Sequence, residues 1–107
     1  MTSGMETLDY ELRGSKQPAP FGAVLIGVVA SGNLEVLIEP GERGCCRYRI
    51  ETSARGFGAI WEAVIRDFHE RHDLGGAVVS IHDMGATPAV VNLRLEQAAA
   101  SLQGDGR

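Results

Sequence analysis

Most of the features from which an activity is usually read are missing from this sequence. Its longest apolar run, Ala23 to Ala30, falls far short of the ~20 residues that span a bilayer. Met1 to Tyr10 carries acids where a secretory signal would place a basic start and an apolar stretch. Neither a membrane partner nor export is expected, and a cytoplasmic setting is. Positive charge is also short: ten Lys and Arg against fourteen Asp and Glu leave a net charge of −4. That sign opposes binding to a phosphate backbone, so nucleic acid is not expected as a partner. Only two cysteines occur, Cys45 and Cys46, and they are adjacent. On a strand they point to opposite faces, a poor geometry for pairing with each other. A reducing compartment fits, with Cys46 a packing thiol in register with Tyr48 and Ile50.

Catalytic signatures are equally scarce. There is no G-x-S-x-G nucleophile elbow and no Walker phosphate loop. Gly56-Phe57-Gly58-Ala59-Ile60-Trp61 starts like a dinucleotide fingerprint but has Trp61 where the third glycine belongs. His69-Glu70-Arg71-His72 lacks the i,i+4 histidine spacing of a zinc helix, so no metal site is assigned. His72, near a helix end, reads as a C-terminal cap. His82 shares a strand face with Val78 and Ser80 and reads as structural. The acids lie singly on solvated faces. No catalytic residue is assigned, and the chain is not expected to be an enzyme by itself.

What is present is a chain of 107 residues, 44% hydrophobic, with 14 glycines. The length supports one modest core and not two, and glycine at about twice its usual share implies many tight turns. Glu6 to Leu12 alternates as a half-buried strand. Gly14 to Phe21, with Pro18 and Pro20, is a connection. Ala23 to Ala30 reads as a buried strand, and Leu34, Val36 and Ile38 resume an alternation beyond Ser31-Gly32-Asn33, a hairpin signal. Pro40 to Gly44 is a second turn, after which Cys46, Tyr48 and Ile50 face one way. These four strands read as a meander. Phe57, Ile60, Trp61, Val64, Ile65 and Phe68 then form an apolar helical stripe, ended by Gly75-Gly76. Ala77 to His82 is a fifth strand. Thr87-Pro88 opens a second helix as N-cap and first residue, with Val91, Leu95, Ala98, Ala99 and Leu102 on its inner face. The expected fold is α+β: a mostly antiparallel sheet of about five strands in a single small domain, two amphipathic helices on one face and the other face wet. The domain spans 5–102, with flexible termini at 1–4 and 103–107.

Ser31 is the residue that stands out. It sits at the tip of the hairpin, and Gly32 removes side-chain bulk beside it, as access by a modifying enzyme requires. Ordinary turn chemistry explains the same residues.

The segments Ala30-Ser31-Gly32-Asn33-Leu34-Glu35-Val36-Leu37 and Ile81-His82-Asp83-Met84-Gly85-Ala86-Thr87-Pro88-Ala89-Val90-Val91-Asn92-Leu93-Arg94-Leu95-Glu96-Gln97-Ala98 change that balance. Together they resemble the acyl carrier (delta) subunit of biotin-independent malonate decarboxylase, and the resemblance runs from Met5 to Leu102. It implies that Ser31 carries a covalent prosthetic group, 2′-(5″-phosphoribosyl)-3′-dephospho-CoA, through a phosphodiester bond, with Gly32 clearing space. It further implies a swinging-arm cycle in which acetyl and malonyl thioesters form on that group while malonate is decarboxylated to acetate. The implied partners are the acyl-transferase (alpha) and decarboxylase (beta, gamma) subunits, a prosthetic-group transferase and a malonyl transferase. Asn33, His82 and Ala89 stand where aspartate, asparagine and glycine are commoner in that family, and none of them touches the hydroxyl. A citrate lyase-type acyl carrier and an unmodified scaffold or adaptor subunit are the alternative readings.

Overall fold

The computed structural model describes residues 5–27 and 34–104. The alternating segments form strands: β1 (Glu6–Arg13), β2 (Val24–Ile26), β3 (Leu34–Pro40), β4 (Cys45–Thr52) and β5 (Ala77–Asp83). The segments of helical period form α1 (Gly58–His72) and α2 (Pro88–Gly104). α2 therefore runs two residues past the expected boundary at Leu102. Of the expected strand Ala23 to Ala30, Val24–Ile26 is strand, while 28–30 lie outside the described residues.

The five strands make one sheet in the order β1-β4-β5-β3-β2. Three of its pairings are antiparallel, and β4 with β5 is parallel. This corrects the expected meander. The β2–β3 hairpin is present, but β3 and β4 are not neighbours, because β5 lies between them. A parallel neighbour requires a crossover connection, and α1 supplies it. The Pro40–Gly44 turn consequently crosses the start of β5 rather than closing a hairpin. It is tied there by the Gly41 amide to the Gly76 carbonyl at 2.8 Å and the Gly76 amide to the Cys45 carbonyl at 2.7 Å.

Both helices cover one face. Val36, Ile38, Cys46, Ile50, Val79 and Ile81 point into it and are fully buried. They meet Ile65 and Phe68 of α1 and Leu95 and Ala98 of α2, which are also fully buried. The edge of the Phe68 ring meets Tyr48 at 6.3 Å. The opposite face carries charge in cross-strand register, Asp9 with Arg49 and Glu11 with Arg47, as expected of a wet face.

Two helix expectations change. Phe57 and Ile60 are 48% and 50% exposed, so the first turn of the α1 stripe lies outside the core. His72 does not cap α1. Asp73 ends the helix in the left-handed conformation, its amide donating to the His69 carbonyl. His72 is drawn instead to α2, where its Nε2 meets Glu96 Oε1 at 2.9 Å.

The sheet has two unlike poles. At the pole where β1 ends and β5 begins, connecting backbones are stitched together. The Gly14 amide donates to the Gly44 carbonyl, and the Gly75 amide to the Lys16 carbonyl. A Cβ on Gly14 would overlap the Leu74 carbonyl, so only glycine allows that approach. The other pole holds the ends of β4 and β5, the starts of β3 and α2, and the approach to residues 28–33.

Candidate functional site

Ser31 and Gly32 lie outside the described residues, and the structure defines the frame around them. The stem is the β2–β3 ladder, with Val24, Leu25 and Ile26 opposite Ile38, Leu37 and Val36. Gly27 leaves it with φ +87°. A Cβ there would lie 2.5 Å from the Leu34 carbonyl oxygen and 2.8 Å from Arg94 Nε. Glycine thus lets the Arg94 side chain of α2 lie across the root of the segment.

Leu34, the first residue of β3, pairs with Asp83. Asp83 is a buried carboxylate, 2% exposed, and three donors satisfy it. The Thr52 hydroxyl donates to Oδ2 at 2.7 Å, and the Ala86 and Gly85 amides donate to Oδ1 at 2.8 and 3.2 Å. This organises the tight turn from β5 into α2, helped by Gly85 at φ +98°. Thr87 then acts as the expected N-cap, accepting from the Val90 amide through a long bond of 3.4 Å. The 81–88 segment of the sequence is therefore a device for launching α2 beside the hairpin.

Between the starts of the two helices the same pole holds a recess of about 280 Å³. Phe57, the residue before α1, with Ile60, Trp61 and Val64 of α1 and Val91 of α2 form its walls, and Asp83 and Ala86 border it. The exposed turn of α1 is its rim. Periodicity alone assigned Phe57 and Ile60 to the core. The recess was not legible because its two sides are separated by β5 in sequence. Asp83 had a local signal, a carboxylate two residues before glycine, which is Asx-turn chemistry.

The histidines do not converge. His69 is buried, and its Nδ1 accepts from the Tyr48 hydroxyl at 2.8 Å while its Nε2 donates to the Arg13 carbonyl at 2.6 Å. His82 pairs with Glu51 at 3.0 Å on the open face of the sheet. The ligand atoms of Glu11, Glu42 and Cys45 come within 4.8 Å of one another, but on the far pole and open to solvent.

The described residues thus place a guanidinium, Arg94 of α2, beside Gly27 and an apolar recess between the starts of the two helices.

Comparison with known proteins places the whole chain. Residues 22–102 match the family model described as malonate decarboxylase delta subunit (MdcD). The chain is 62% identical over 100 residues to a malonate decarboxylase acyl carrier protein of Burkholderia cepacia, covering 94% of this chain and 93% of that one. It is 55% identical over 104 residues to that of Stenotrophomonas maltophilia (strain R551-3), covering 95% and 98%. A chain in the crystal structure of a Pseudomonas malonate decarboxylase hetero-tetramer in complex with malonate superposes with a TM-score of 0.83 at 39% identity, over 91% of this chain and 98% of that one.

Proposed function

This chain belongs to the malonate decarboxylase delta-subunit family and is an acyl carrier subunit rather than a catalytic one; on that premise we propose that Ser31 bears the carried group. The attached group is 2′-(5″-phosphoribosyl)-3′-dephospho-CoA, whose thiol supplies the acetyl and malonyl thioesters needed to decarboxylate malonate to acetate. The chain's own residues hold and present it. The β2–β3 stem, backed by α2, anchors the segment that carries the serine. Arg94 lies beside Gly27 at the root of that segment, and its positive charge suits a phosphodiester. Gly32 keeps the serine open to the prosthetic-group transferase.

The partners are the acyl-transferase and decarboxylase subunits and a malonyl transferase, and the setting is the cytoplasm. Holding the thioester on a carrier assembled with those subunits raises its effective concentration at each of their sites. The relative in the hetero-tetramer supports the assembly. The observation that carries the reading is the match across 22–102, which spans the hairpin and the α2 start together.

Intact mass of the chain co-produced with the transferase tests it. The expected result is an increment equal to the prosthetic group, mapped to Ser31 and absent in Ser31→Ala, whose circular dichroism stays native. A bare mass in the presence of active transferase sinks the assignment.

A further inference from the structure

We propose that the recess between the starts of α1 and α2 shelters the acyl end of the chain's own arm, accepting acetyl and refusing malonyl. The inference rests on Ser31 bearing the arm and adds a binding site for its far end.

Position comes first. Asp83, at the border of the recess, pairs with Leu34, about 4.8 Å away across the ladder. Ser31 is three residues upstream of Leu34, at most roughly 11 Å of chain. A nucleotide followed by a pantetheine chain is long enough to cover that span and turn back.

Chemistry comes second. Phe57 and Ile60 leave half their surface in water at the rim, apolar area that the fold itself does not bury. An acetyl group lets that area be covered, which the hydrophobic effect favours. Among the described residues that line the recess, Asp83 is the one charged group. The Thr52 hydroxyl and the Gly85 and Ala86 amides are already engaged by it, and none of the lining residues is a cation. A malonyl carboxylate entering here would lose its water and gain a like charge, both unfavourable. Acetyl therefore docks and is screened from hydrolysis, whereas malonyl stays out in solvent, available to the subunit that decarboxylates it.

Trp61, the chain's one tryptophan, lines the recess and reports on it. Full-length protein is prepared in apo, thiol, acetyl and malonyl forms, each verified by intact mass. In the acetyl form Trp61 emission should shift to the blue, while the malonyl form should resemble apo. Hydroxylamine should cleave the acetyl thioester at least about fourfold more slowly than in Ile60→Glu, the preference given by burying one methyl group. Phe57→Glu, at the other rim position, should behave like Ile60→Glu. Both side chains are half-exposed, so each variant keeps its fold.

Equal emission in apo and acetyl forms, or equal cleavage rates in wild type and both variants, overturns the shelter. An equal shift with malonyl overturns its selectivity. A Trp61 change that appears only when partner subunits are added, alike in apo and acetyl forms, assigns the recess to an interface and also overturns it. A missing mass increment is a separate result and sinks the Ser31 reading.

Discussion

Tyr48 and His69 bring polar atoms into the core between β4 and α1. The Arg13 carbonyl can only accept, so the hydrogen of His69 sits on Nε2 and Nδ1 accepts from Tyr48. Tyr48→Phe removes that donor and leaves a buried nitrogen unpaired, so a loss of about 1–3 kcal/mol is expected, read by urea unfolding. Next to it, burial pushes the Cys46 thiol up to about 11, against a smaller opposing effect of its hydrogen bond with Tyr48. Thiolate is the reactive form. Alkylation of the native protein near pH 8 should therefore label the partly exposed Cys45 first, and Cys46 only on unfolding, as followed by intact mass. The sequence shows Cys46 as inward because it alternates with Tyr48 and Ile50. The partner of Tyr48 was not visible, since His69 approaches from another element.

At the scale of elements, α1 and α2 are joined at Glu96, which meets both Arg71 and His72. Partial burial pushes its carboxyl up, but hydrogen bonds and charge from Arg71 and His72 outweigh this and hold it below the ordinary glutamate value. Asp73 is lowered in the same way, chiefly by hydrogen bonds from Ser15. A lowered folded-state pKa contributes stability above the unfolded value of about 4 and loses it as pH falls through the folded one. Stability should accordingly decline on acidification below about pH 4.5, and Glu96→Gln and Asp73→Asn should each flatten part of that decline. Thermal melts across that range check it. The inner face of α2 was readable in full, because one helix against one sheet buries a single stripe. That of α1 was readable only from Trp61 onward, because periodicity says which side a residue takes and not where the sheet beneath it ends.

On the scale of the molecule, the sealed pole and the open pole divide the glycines by use. Gly14, Gly41, Gly75 and Gly76 let backbones cross at the sealed end. Gly14→Ala drives a methyl group into the Leu74 carbonyl and should cost about 1–3 kcal/mol, measured as a shifted urea midpoint. Strand number, helix number and the helix-covered face could be read from alternation and stripe, whereas strand order could not. Alternation fixes the face of a strand, but its neighbour depends on contacts far along the chain. Ser31 stood out by its place between two strand patterns, and the resemblance to a carrier family set it above ordinary turn chemistry, while the recess needed both helix starts in place.

The central strand of the sheet is also the last strand to be synthesised. In the sheet, β1–β4 and β2–β3 touch only through β5. Without residues 77–83 the two strand pairs have no partner edge in common, and a lone two-stranded pair is marginal in water. A fragment ending at residue 76 should show no cooperative melt and should associate through its open strand edges, whereas a chain that includes β5 should melt as one unit.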